Sequence, residues 1–428
     1  MISTLILVAA LLLIAGGMPV AFAIGIAGSS YFLLPSTFLP DSTAVQRIVA
    51  ASQSFPLLAV PLFIILGNLM NSAGITSRLV GLATTLTGWM RGGLAQSTIV
   101  LSTLMGGVSG SAVADAAMQA RILGEPMVEK GYNRGFTGAV LAIGGLITAT
   151  LPPSLGLILY GYLGEVSIGR LFIAGILPGF LLMFMLMVAT SYVARRDNYK
   201  PANDRLPTLG EVGRDVKSGF WAILFPILLL VGIRFGFFTP SEAGAFAVLY
   251  ALIIGFFVYR ELTLAKVVDA LVQSLRDIGM IMLIILFSGT FGFVITFERV
   301  PQSIAEFALT AITDPTVLLF VVAGFLLVLG MLIEATVLVL LLTPILVPVV
   351  TAAGIDPVHF GIVMMTLVTF GGMTPPVGVS MFTVCGILRC SYRDYTIQMI
   401  PLAIGVLVMV VLIILFPQIT LFLPDKLM

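Results

Sequence analysis

Eleven apolar stretches, parted by short polar turns and one long polar segment, restrict this chain to a bundle of membrane-crossing helices. They cover roughly 1–34, 55–75, 94–117, 136–162, 170–193, 220–238, 242–259, 278–297, 316–350, 358–388 and 400–423. A spanning helix needs about 20 apolar residues, and in lipid the backbone must satisfy its own hydrogen bonds. The 428 residues leave room for roughly 10 to 14 passes at that length. Only 10% of them are charged, against about 25% in a soluble domain, and mean hydropathy is +1.15. The net charge of +1 and the lack of any basic stripe give no footing for a nucleic-acid partner. Two cysteines, Cys385 and Cys390, and one histidine, His359, supply neither a disulfide framework nor a zinc set. The first basic residue is Arg47, so the apolar start reads as a first membrane segment with its N-terminus outside, rather than a signal peptide.

Charge sets the topology. The polar segment 194–219 carries Arg195, Arg196, Lys200, Arg205, Arg214 and Lys217, which place it in the cytoplasm by the positive-inside rule. The FFTPSE turn near Thr239 is then external, and 260–277, with Arg260, Lys266 and Arg276, is internal. Backward from the anchor, 161–169 is external and 121–134 internal; forward, 298–315 is external and Arg389 and Arg393 are internal. This bookkeeping makes 94–120 enter and leave from the cytoplasm and 316–350 enter and leave from outside. Both read as re-entrant hairpins.

The hairpin turns are Ser109-Gly-Ser-Ala-Val-Ala-Asp115-Ala and Gly330-Met-Leu-Ile-Glu334-Ala-Thr336. About 40 residues after each comes a double proline in an apolar run, Pro152-Pro153 and Pro375-Pro376. The paired features are offset by roughly 220 residues, half the chain, and enter from opposite sides. The expected fold is therefore an all-α polytopic membrane protein built as an inverted repeat. The first repeat spans roughly 1–210, with hairpin 94–120 and broken helix 136–162. The second spans roughly 211–428, with hairpin 316–350 and broken helix 358–388.

Proline removes a backbone donor and displaces a carbonyl, so Pro-Pro beside glycine breaks a membrane helix. Broken backbone is tolerated at membrane depth where protein buries it or it lines a cavity. Freed carbonyls with Ser and Thr hydroxyls suit a hard monovalent cation, and helix N-termini at the same breaks suit a carboxylate. Plainer readings stand beside these. Asp115 follows Ser111 as an acid in the first turn of a helix, where it complements the helix dipole. The proline pairs serve equally as kinks, although their matched positions favour function. Glu334, an acid in an apolar hairpin, points more firmly to function because burying a carboxylate is costly.

The segments SFPLLAVPLFIILG (54–67), VSGSAVADAAMQARILGEPMVEKGY (108–132), LPPSLGLILYG (151–161), SIGRLFIAGILPG (167–179), FGFFTPSEAGAFAVLYAL (235–252), GIDPVHFGIV (354–363) and TPPVG (374–378) occur in that order. Together they resemble the large membrane subunit of TRAP transporters, the tripartite ATP-independent periplasmic transporters of DctM/SiaM type. The resemblance implies a sodium-coupled elevator in a bacterial inner membrane, in which a domain holding both hairpins slides against a scaffold. It implies a small four-helix membrane subunit, a periplasmic substrate-binding protein, and carboxylate substrates such as sialic acid or C4-dicarboxylates. Carried onto this chain, sodium ligands fall at Ser109, Gly110, Ser111 and Thr150, and at Gly330, Glu334, Thr336, Gly372 and Thr374. Substrate contacts fall at Ser111, Asp115, Pro153, Ser154, Thr336 and Pro376.

No G-x-x-x-x-G-K-[ST] motif is present, so an ion gradient is the economical driving force. A stand-alone sodium/anion symporter shares the fold logic and is opposed only by the family motifs. An intramembrane enzyme needs paired catalytic groups at depth, which the lone His359 and Asp115 do not form. A channel needs a continuous polar lining, whereas these polar residues collect at two isolated breaks.

Overall fold

The computed structural model describes residues 2–33, 39–40, 42–203 and 205–428. The external loop 35–53, where with 298–315 a binding protein is expected to dock, lies partly outside the described residues, at 35–38 and 41. All regular structure among the described residues is helical.

Chain order begins with α1 (Ile2–Ala15), α2 (Val20–Ser30), α3 (Ser42–Ser52), α4 (Ala59–Ser72) and α5 (Ile75–Thr87). Next come α6 (Gly93–Gly106), α7 (Ala112–Glu129), α8 (Arg134–Thr150), α9 (Leu155–Leu163), α10 (Ile168–Ala174) and α11 (Ile176–Arg196). The polar segment leads into α12 (Leu209–Arg234), α13 (Pro240–Ile253), α14 (Leu264–Phe297) and α15 (Val300–Ala311). The chain ends with α16 (Pro315–Gly330), α17 (Ala335–Ala352), α18 (Pro357–Gly371), α19 (Val379–Leu388), α20 (Tyr392–Leu415) and α21 (Gln418–Leu427).

Among the described residues, six helical segments are individually long and apolar enough to cross a membrane. Two further pairs pass only as bent units, α4–α5 at 69° and α8–α9 at 46°. The chain is thus a multi-pass, all-helical membrane protein with bent helix pairs. The 14 residues of α6 and 16 of α16 make rods of roughly 21 and 24 Å, short of an apolar core of about 30 Å. Their partners α7 and α17 follow the turns, and α17 is itself one of the helices long and apolar enough to cross.

The order short helix, turn, helix, broken helix occurs twice, as α6–α9 and as α16–α19. The two sets interlock: α7 packs on α8 and on α19, while α17 packs on α18 and on α9. Each hairpin thus touches the broken helix of its own set and of the other. Around them α14, with 34 residues and about 51 Å long, braces α2, α3, α4 and α17. Its first turns carry Lys266, Asp269, Arg276 and Asp277, so the helix starts well before the apolar stretch expected at 278.

Three segments expected as polar connections are helical. Residues 42–52, 75–87 and 300–311 form α3, α5 and α15. Each places apolar residues three to four positions apart, as with Val300, Ile304 and Phe307, an amphipathic pattern too sparse to register as a span. His359, without ligand company in the sequence, is buried and meets Thr420 Oγ1 of α21 through Nδ1 at 2.7 Å.

Candidate site where two hairpin tips meet two helix breaks

At the first tip the chain leaves α6 through two glycines and turns at Ser109-Gly110-Ser111. Gly110 has φ +62°, and a Cβ there would lie 2.6 Å from the Pro153 carbonyl oxygen. Only glycine lets the tip approach the first break this closely. Ser111 then caps α7, its Oγ accepting from Ala114 N–H at 3.4 Å. In the break, a cis Pro152–Pro153 bond leads to Ser154, which caps α9 by accepting from Leu157 N–H at 3.5 Å.

The second half repeats this plan with different chemistry. Glu334 caps α17: one carboxylate oxygen accepts from Val337 N–H at 3.2 Å and the other from Thr336 Oγ1 at 2.9 Å. The second break runs from Gly372 to Gly378 and holds a cis Pro375–Pro376 bond. Val377 N–H donates to the Met331 carbonyl across the tip–break boundary at 3.2 Å. Tyr395 O–H, from α20, donates to the Met373 carbonyl at 2.8 Å. Gly330 and Gly371 touch backbone to backbone; a Cβ on Gly371 would fall 2.4 Å from Gly330 C.

The four pieces enclose a cavity of about 70 Å³. Its wall includes Ser111 and Ser154 from the first half and Glu334, Thr336, Thr369 and Ser380 from the second. Each of α7, α9, α17 and α19 starts on this wall. A helix start carries roughly half a positive charge, so four partial positive ends converge around one carboxylate, Glu334. At about 10–15 Å³ of probe volume per water, the space admits ions and a few waters and excludes an organic anion.

A second concavity of about 410 Å³ adjoins it, sharing Gly110, Ser111, Val113 and Leu155. Ser109 and Pro153 line its near side, and Asn68 and Asn71 of α4 with Gln273 and Asp277 of α14 line the far side. This volume is in the range of small-molecule sites, about 300–1,000 Å³. No lysine, arginine or histidine lines either space among the described residues.

The expected site residues divide by place. Gly110, Ser111, Ser154, Glu334, Thr336 and Gly372 line the cavity, and Ser109 and Pro153 line the adjoining concavity. Ser109 Oγ is buried with no hydrogen-bond partner among the described residues. Thr150 and Thr374 are buried behind the breaks, donating to Leu146 O at 2.9 Å and Gly371 O at 2.7 Å. Gly330 serves the tip–break contact, and Pro376 is exposed on the outer side of its break.

Asp115 lines neither space. It is 1% exposed, and its Oδ2 accepts from Ser102 Oγ at 2.9 Å, Gln119 Nε2 at 2.9 Å and Thr148 Oγ1 at 2.8 Å. These donors belong to α6, α7 and α8, so the carboxylate clamps the first hairpin to its broken helix. Sequence reasoning named none of the three donors. It also passed over Thr369 and Ser380 of the cavity wall. The available signal was weak: Ser102 and Thr148 are hydroxyls within apolar runs, near Thr103 and Thr150, and Ser380 lies two residues past TPPVG.

An interlocked pair of helical hairpins and broken helices, meeting at a small, partly open cavity inside a multi-pass bundle, is the arrangement expected of a membrane carrier. Residues 7–419 match the family model for the tripartite ATP-independent periplasmic transporter, DctM component. The chain is 36% identical over 415 residues to the sialic acid TRAP transporter large permease protein SiaM of Vibrio cholerae, covering 96% of each. It is 33% identical over 405 residues to the C4-dicarboxylate TRAP transporter large permease protein DctM of Pseudomonas aeruginosa, covering 94% of each. Its fold is similar to that of the Alcanivorax borkumensis YdaH transporter, with TM-score 0.61 at 15% identity over 96% of this chain and 97% of that one. The chain belongs to the DctM family of tripartite ATP-independent periplasmic transporters. It is a transporter permease, not an enzyme, and the tripartite family implies partner subunits.

Proposed function

We propose that this permease imports a small organic anion together with sodium, by an elevator movement of the domain holding both hairpins. The observation that carries the proposal is the charge balance of the tip–break cavity. Four helix starts favour a carboxylate, but Glu334 and Asp277 are the formal charges on the two walls, and both are negative. Two like charges 4 Å apart repel by about 4 kcal/mol at an effective dielectric of 20. An anion entering this space therefore needs a companion cation, and the orphaned Ser109 Oγ and the carbonyl-rich breaks are suitable hard-oxygen donors. Sodium ligands are assigned to the tips and breaks: Ser109, Gly110, Ser111 and Thr150 in the first half, and Gly330, Glu334, Thr336, Gly372 and Thr374 in the second. The substrate sits in the adjoining concavity against Ser111 and Pro153, and reaches Ser154 and Thr336 when the tips part and the small cavity widens.

Inward sodium movement contributes about 2.3 kcal/mol per 100 mV before any concentration gradient. The larger concavity opens beside the starts of α14 and the ends of α4, which the positive-inside reading places toward the cytoplasm. It is the release path of an inward-facing state. The two interlocked sets are inverted repeats, roughly 1–210 and 211–428, and the sliding unit is built from both. A small four-helix membrane subunit and a periplasmic binding protein complete the system in the inner membrane. Sialic acid and C4-dicarboxylates, named for the two relatives, are the substrate classes to try first.

The test is uptake into proteoliposomes holding the chain with its small subunit, with labelled sialic acid and labelled succinate in parallel. Uptake requiring both a sodium gradient and the binding protein is expected. Sodium-driven uptake without the binding protein would establish a stand-alone symporter instead. Ser109→Ala and Thr336→Ala are expected to reduce uptake mainly at low sodium; unchanged sodium dependence in both would remove these ligands from the proposal.

A further inference from the structure

The α5–α6 turn carries Trp89, Met90 and Arg91 to the end of α11, where Ser191 and Arg195 stand. These five residues line a concavity of about 610 Å³ at the boundary that the positive-inside reading gives to the cytoplasm. The turn is held tightly in place: Gly92 has φ +69°, and a Cβ there would meet the Ala194 Cβ at 2.7 Å. The backbone therefore holds Arg91 and Arg195 on one wall, with both side chains exposed. Among the described residues neither has an acidic or hydrogen-bonding partner, whereas neighbouring Arg196 is occupied by Asp197 and Gln398. Ser191 Oγ accepts from Gln96 Nε2 at 2.9 Å, which leaves its hydroxyl proton free to donate. Trp89 satisfies its indole N–H on Leu86 O at 2.9 Å and turns its ring outward, as an interfacial anchor does.

A second observation points to the kind of ligand. Below the concavity, Phe180, Phe184, Val188 and Tyr192 recur every four residues along α11 and are 49%, 58%, 52% and 61% exposed. The opposite face of α11, with Leu182, Leu186 and Val193, is the one buried in the bundle. An uninterrupted apolar track thus descends from the two guanidinium groups toward the bilayer centre. A soluble anion makes no use of such a track; an acyl chain fills it. Guanidinium forks suit phosphate oxygens, and two uncompensated charges favour a headgroup with net negative charge.

We propose that Arg91, Arg195 and Ser191 bind the phosphate of an anionic phospholipid whose acyl chain lies along the Phe180–Tyr192 face of α11. The lipid joins the start of the first hairpin to the far end of α11, and so travels with the hairpin's own domain.

The probe is phosphatidylglycerol, titrated into the purified complex of this chain with its small subunit and followed by native mass spectrometry. Parallel arms use phosphatidylcholine and inorganic phosphate. One saturable phosphatidylglycerol adduct is expected, undisplaced by millimolar inorganic phosphate and weakened about thirtyfold in the R91Q/R195Q double variant. The R91K/R195K variant is expected to restore it, and R121Q, an exposed arginine outside the concavity, to leave it unchanged. Melting temperatures of all variants report folding separately. Equal retention by the wild type and the folded R91Q/R195Q variant overturns the site. Displacement by inorganic phosphate at the same concentration as by lipid overturns the lipid assignment.

Discussion

Replacing Gly371 by alanine tests whether the second tip and the second break must touch. The new Cβ would lie 2.4 Å from Gly330 C and 2.5 Å from Gly330 Cα. Carbon atoms settle at about 3.5–4.0 Å, so α16 and α18 must part by more than about 1 Å. Both obstructing atoms are backbone, so no side chain can rotate away. Overpacking of this kind costs about 1–3 kcal/mol, less up to about 1 kcal/mol returned by replacing a helical glycine. A net cost near 1.4 kcal/mol corresponds to roughly tenfold in an equilibrium. If a cation site forms only when tip and break are in contact, apparent sodium affinity falls by that factor, because the competent fraction falls by it.

The assay is initial uptake rate against external sodium in proteoliposomes, with melting temperature of the purified protein as a check on folding. Gly324→Ala is the matched control: it lies in α16 with no atom within 4 Å of a new Cβ. It is expected to leave the sodium curve in place and to raise stability slightly. A Gly371→Ala protein with a wild-type sodium curve would refute the reasoning, since the contact would then be dispensable for the site.

Other substitutions separate positioning from binding. Asp115→Leu removes an acceptor shared by Ser102, Gln119 and Thr148, of which Gln119 keeps Ser102 Oγ and Thr148 keeps Ser102 O, and is expected to cost about 1–3 kcal/mol, read as thermal unfolding in detergent. Asp115→Asn keeps an oxygen for those donors and should cost less than half as much; equal losses would show that charge rather than geometry holds the hairpin. Gly110→Ala combines about 1–2 kcal/mol for a left-handed residue with a clash against Pro153 O, and uptake should fall below a tenth at unchanged expression. Glu261→Gln breaks the ion pair with Arg78, whose side chains are 22% and 40% exposed, and should change stability by no more than about 1 kcal/mol. A larger shift on differential scanning would assign that pair a role in holding α5 to the start of α14.

The tips and breaks were legible because their chemistry is local. Ser109-Gly-Ser, Glu334 and the two Pro-Pro pairs each violate the rules of an apolar helix, so they stand out without any knowledge of their neighbours. Asp115 was legible as an unusual acid but not as a clamp, since its three donors come from α6, α7 and α8 and only packing brings them together. Thr369 and Ser380 were missed for the reverse reason. A hydroxyl in a membrane helix commonly bonds its own preceding turn, as Thr366 does with Ile362 O, and nothing local distinguishes one that faces a cavity. The helices α3, α5 and α15 escaped because half-exposed amphipathic helices resemble polar connections when judged by length and hydropathy.

The asymmetry between the two tips bears on how the site works. Ser111 and Ser154 cap their helices with neutral hydroxyls, whereas Glu334 caps α17 with a carboxylate. The carboxylate offsets the positive end of α17, as Asp115 in its first turn does for α7, and leaves the starts of α9 and α19 without an acidic residue. Without a cation the second half of the cavity repels an anionic substrate; with one, the local sum returns toward zero. Under the proposed elevator movement, a domain loaded with both ions would carry little net charge through a low-dielectric interior, and one loaded with substrate alone would be penalised twice, by repulsion and by charge burial. In the proposed sodium-coupled carrier, coupling would then rest on placing one acidic cap among neutral ones.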